Sequence, residues 1–64
     1  MIPEGCIEII SESSRNKMLI QVSSIVSVVE RQFGRGTIIM MQSGTEIAAL
    51  DSYQSVVNAM AKAQ

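Results

Sequence analysis

The spacing of apolar residues changes at Asp51, and this change constrains the fold more than any other feature of the chain. Before Asp51, short apolar runs are separated by clusters rich in Ser, Gly and Asn. After it, Tyr53, Val56, Val57 and Met60 recur at helical spacing, while Gln54, Ser55, Asn58 and Lys62 take the opposite arc. A chain of this kind forms several short strands followed by one amphipathic helix. Asp51 itself reads as the helix cap: its carboxylate can accept from the first-turn amides, and Gln54, three residues on, can reach back.

The strands are legible one at a time. Cys6-Ile7-Glu8-Ile9-Ile10 is short, rich in isoleucine and closed by the polar cluster Ser11 to Asn16, which reads as strand then turn. From Lys17 to Val22 the residues alternate, with Met18, Ile20 and Val22 on one face and Lys17, Leu19 and Gln21 on the other. Ser23-Ser24 interrupts the chain before a β-branched stretch, Ile25 to Arg31. Ile25 and Val28 cannot share a face in strict alternation, which predicts a β-bulge between them and a bend in the sheet.

Gln32 to Gly36 holds two glycines within three residues and reads as a loop. The strands Thr37 to Gln42 and Thr45 to Leu50 then flank Ser43-Gly44, a hairpin with glycine in the turn. The expected architecture is α+β: a small curved antiparallel sheet or open barrel of about five strands with one C-terminal helix. There are no internal repeats and no linkers, so residues 1–64 read as a single domain.

A chain of 64 residues buries only roughly 60% of the surface that it exposes when unfolded, a marginal core. Domains of this size usually carry a disulfide, a metal or an oligomeric contact. The sequence has one cysteine and no histidine, which excludes an internal disulfide and any zinc or iron site of ordinary Cys/His type. No cofactor is implied. Self-association is the staple that remains, and a composition 47% hydrophobic but 3% aromatic supports it, because few bulky rings are present to fill a private core.

Five basic and six acidic residues leave a net charge of -1. That balance argues against generic DNA binding and against attraction to anionic membranes. The N-terminal Met1-Ile2-Pro3-Glu4 lacks a basic segment followed by an apolar one, and apolar runs are short, so neither a signal peptide nor a membrane span is expected. A lone Cys6 suits a reducing, cytoplasmic setting.

Part of this pattern resembles the small FlbD-type proteins of flagellar operons. The resemblance runs from about Met18 to Met60 and rests on Ile25, Val28 and Glu30, then Thr37, Ile39 and Met41, then Ser43-Gly44, Glu46-Ile47 and Asp51-Ser52-Tyr53. It implies the strand order and the closing helix. The chain departs from that pattern in lacking an Asn-Pro before the third strand and in carrying an extra N-terminal strand. The resemblance brings no catalytic residue with it.

The residues themselves argue against an enzyme. Without histidine, a serine nucleophile would depend on Lys17 or Lys62, and neither stands in a Ser-x-x-Lys setting. Glu4, Glu8, Glu12, Glu30, Glu46 and Asp51 show no spacing that specifies a carboxylate pair. Cys6 has no basic neighbour in sequence to favour its thiolate and reads as a small buried hydrophobe.

Two features remain as binding candidates. The segment Arg31-Gln32-Phe33-Gly34-Arg35-Gly36 joins two guanidinium groups, the single phenylalanine and two glycines. Arg31, Phe33, Gly34, Arg35 and Gly36 are therefore candidates to bind a partner or an anionic ligand such as a nucleotide. The alternative is an ordinary strand connection with charged edges. The second feature is the two-sided strand Ile38-Ile39-Met40-Met41. One short helix covers one face of a sheet, so if Ile38 and Met40 face it, Ile39 and Met41 face away. Barrel closure could cover that face from within, whereas a homodimer would cover it from outside. The small core favours the dimer, with Ile39 and Met41 as its interface.

Three functional readings follow. The first is a non-enzymatic, oligomeric interaction module, an adaptor or regulator that binds another protein. The second is an inhibitor or sequestering protein, of the sort phages direct against host defence enzymes, which holds a nucleotide or blocks an active site. The third, a nucleic-acid-binding barrel, is weakened by the charge balance and by having only Phe33 and Tyr53 as stacking rings.

Overall fold

The computed structural model describes residues 2–32 and 36–63. In chain order the elements are β1 (Cys6–Ile10), β2 (Lys17–Gln21), a 3-10 turn (Val22–Ser24), β3 (Ile25–Glu30), β4 (Thr37–Met41), β5 (Glu46–Ala49) and α1 (Tyr53–Ala63). This is the α+β fold with five short strands and a C-terminal helix. The strands form two antiparallel sheets, β1-β2 and β3-β4-β5, without barrel closure.

The sheets meet at a corner where Ser11 bridges Ala49. There the Leu50 amide donates to the Ile10 carbonyl and the Glu12 amide to the Ala48 carbonyl, both at 2.8 Å. At the other side the 3-10 turn carries the chain from β2 into β3, and its Ser24 carbonyl accepts from the Gln42 amide at 2.8 Å. The bulge anticipated in β3 is present: the register shifts between Ile25, opposite Met41, and Ser27, opposite Met40. Val26 is the extra residue.

Alternation decides the core. Ile7 and Ile9 of β1 point inward with Glu8 outward, and they face Ile20 and Met18 across the β1-β2 ladder. Ile7, Ile9, Ile20, Ile39, Ala49 and Val56 are buried together, with Met18, Val22, Ile25, Val28, Met41 and Ile47 packed around them. The helix lies on this inner side, mainly against β1 and with a smaller contact to β3.

Two expectations about the helix need correcting. Its inward stripe is Val56, Ala59, Met60 and Ala63, whereas Tyr53 is 39% exposed and Val57 sits at the margin. The stripe is thus turned toward the two alanines, whose small side chains allow close approach to the sheet. Nor is Asp51 the cap. The Ser52 hydroxyl accepts from the Ser55 amide at 3.1 Å, while the Asp51 carboxylate accepts from the Ile10 amide at 2.8 Å. The Asp51 carbonyl also accepts from the buried Thr37 hydroxyl at 2.8 Å. Asp51 therefore ties the start of the helix to the ends of β1 and β4.

Candidate functional site

Of the loop candidates, Phe33, Gly34 and Arg35 lie outside the described residues. Arg31 and Gly36 are described, and both have local employment. The Arg31 guanidinium pairs with the Glu12 carboxylate, 19 residues earlier, and both side chains are partly exposed. This joins the end of β3 to the β1-β2 turn. The Arg31 amide donates to the Gly36 carbonyl at 3.1 Å and so continues the β3-β4 ladder.

Gly36 is buried at φ 109°. A Cβ built there would lie 2.2 Å from the Ala49 carbonyl oxygen, so backbone contact with β5 is sufficient reason for glycine at this position.

The second candidate surface is reversed from its expected orientation. Ile39 is 0% exposed, and Met41 packs against the same core. Both face the inside of their own chain: Ile39 stands in a cross-strand row with Val28 and Ile47 and is buried with Ile7, Ile9 and Ile20 of the β1-β2 sheet and Val56 of the helix. The outward face of β4 carries Ile38 and Met40 instead. There Ile38 lies between Val29 and Ala48, and Met40 between Ser27 and Glu46. Val29 is 55% exposed, and Ile38, Met40 and Ala48 are half-buried. Around the corner, Ile10 at 37% and Leu50 at 40% continue the apolar surface.

Concave regions accompany these faces. A cleft of about 390 Å³ separates the N-terminal turn from the last turns of α1 and combines apolar walls, such as Pro3 and Ala59, with Glu4, Glu8 and Lys62. A groove of about 450 Å³ runs between β3 and the other flank of α1. Cys6 is a free thiol, half-buried at the first of these.

Among the described residues, no helix is long and apolar enough to cross a membrane. The chain matches no family model, no curated protein and no solved structure. The outward row on β3, β4 and β5 escaped sequence reasoning because alternation marks two faces equally, and the face that the helix covers is chosen by long-range packing.

Proposed function

We propose that this chain is a non-enzymatic interaction module, a small adaptor or regulator that binds another protein through the outer face of the β3-β4-β5 sheet. The observation that carries this reading is the uncovered row Val29, Ile38 and Ala48, flanked by Met40. Among the described residues the helix packs on the inner side of the chain, so this row is covered only by its own cross-strand neighbours and stays half-buried at Ile38 and Ala48 and exposed at Val29. Apolar side chains grouped in this way mark interaction surfaces in small proteins. The free thiol of Cys6 is at home in a reducing compartment, and the reading places the work of the protein in the cytoplasm.

The test uses the chain as bait in its native host, followed by calorimetry with the protein that it captures. Ile38→Lys and Val29→Lys place a charge on the proposed contact without disturbing the core, and each is expected to weaken binding by about tenfold or more. Unchanged affinity in both variants would show that the outer face is not the contact.

A further inference from the structure

The helix carries a second apolar stripe that the core does not use. Tyr53, Val57 and Ala61 recur at four-residue spacing on one flank of α1, outside the buried cluster. Together with Met60 they form one wall of the groove of about 450 Å³ whose other wall is Ile25 to Val28 of β3, and among the described residues no charged side chain lines it. Beside the groove, β3 is paired with β4 on one edge, and no described strand pairs with its other edge. Val26, displaced by the bulge, is 62% exposed there.

We infer that the occupant is a second copy of this chain, joined edge to edge through β3 in an antiparallel, two-fold arrangement. The Tyr53-Val57-Ala61 stripes of the two copies face each other beside the seam. Two demands have to be met together. An open strand edge takes an extended backbone, and the helix stripe takes an apolar surface held at a set offset from that strand. An isolated extended peptide meets the first demand only. A second copy brings both surfaces at the same offset, and a two-fold interface sets each against its equal.

The charges allow this pairing. β3 is uncharged from Ile25 to Val29, and its Glu30 stands at the C-terminal end. Antiparallel pairing therefore keeps the two Glu30 carboxylates at opposite ends of the seam, where like charges do not oppose one another. The contact uses the edge of β3, not the outer row around Ile38, so it stands apart from the protein-binding surface proposed above.

Sedimentation of the full chain at micromolar concentration tests the inference, with far-ultraviolet circular dichroism to confirm that each variant folds. The wild type is expected at twice the chain mass of 6.9 kDa. Val26→Lys and Ala61→Lys alter exposed positions, and each is expected to weaken the dimer about tenfold or more, whereas Ile38→Lys should leave it intact. A wild type that sediments at the single-chain mass throughout overturns the inference. So does a dimer that survives both Val26→Lys and Ala61→Lys, or one that dissociates with Ile38→Lys. The last result would place the two-fold on the outer face.

Discussion

Ile38 and Ile39 are the same residue, adjacent on the same strand, yet they occupy opposite environments. Ile39 lies at 0% exposure in the core, in a row with Val28 and Ile47, while Ile38 lies half-buried between the exposed Val29 and the half-buried Ala48. Met41 packs against the core and Met40 does not, although both are half-buried. Inner residues hold the chain together, and outer ones form the surface proposed for binding. The difference teaches that hydrophobicity along this strand marks core and outer surface in equal measure, and that what packs on the inner face, the β1-β2 sheet together with the helix, separates them.

The sharpest way to break this comparison is on the helix. Val56 is 1% exposed, and Val56→Asp would place an unpaired charge among Ile7, Ile9 and Ile39. The domain is expected to unfold at ambient temperature, since penalties of this kind consume several kcal/mol of a marginal total. Val57→Asp, at the margin of the groove, should keep its fold with a lower melting temperature. Asn58→Asp, on the exposed arc, should melt like the parent. Circular dichroism of the three variants decides the matter, and equal losses for Val56→Asp and Val57→Asp would displace the inward stripe described above.

The strand gives a smaller and more informative contrast. Ile39→Ala should cost about 2–5 kcal/mol through lost burial and an unfilled cavity. Ile38→Ala should cost roughly 1 kcal/mol or less, because part of that side chain already meets water. Urea titration of both variants reads the difference. If the two costs are equal, Ile38 is covered in solution, and the outer row is an interface in the free protein.

The smallest effect belongs to the ion pair on the surface. Glu12→Ala removes the carboxylate partner of Arg31, but both groups are partly exposed, and such pairs contribute about 0–1 kcal/mol. A loss above that range in the same titration would mean that the pair clamps the β1-β2 turn to the end of β3 more strongly than a surface contact does.

Much of the architecture was legible. The bulge followed from Ile25 and Val28, which regular alternation would set on opposite faces. The hairpin turn followed from Ser43-Gly44, where Gly44 adopts φ 91° and the Met41 amide donates to the Thr45 carbonyl at 2.9 Å. The helix stripe was read one position off because periodicity weighs Val57 above Ala59 and Ala63. In the folded chain small residues are favoured where helix and sheet approach closely. Arg31 looked free for a ligand because Glu12 is distant in sequence and nothing local signals their pairing.

Asp51 shows where the boundary lies. Its position ahead of a helical repeat announced the start of a helix, and local residue chemistry alone determined that, together with the order of strands, the turns and the change of period. The partner of its carboxylate is the amide of Ile10, 41 residues away, and this contact exists only once β1 and β5 meet at the corner of the sheets. The same holds for the faces of β4. A repeat of two residues specifies that alternate side chains point in opposite directions, but not which direction is inward. Tertiary structure decided that, because burial depends on the side on which the β1-β2 sheet and the helix pack, and that side is set by contacts between residues far apart in the chain.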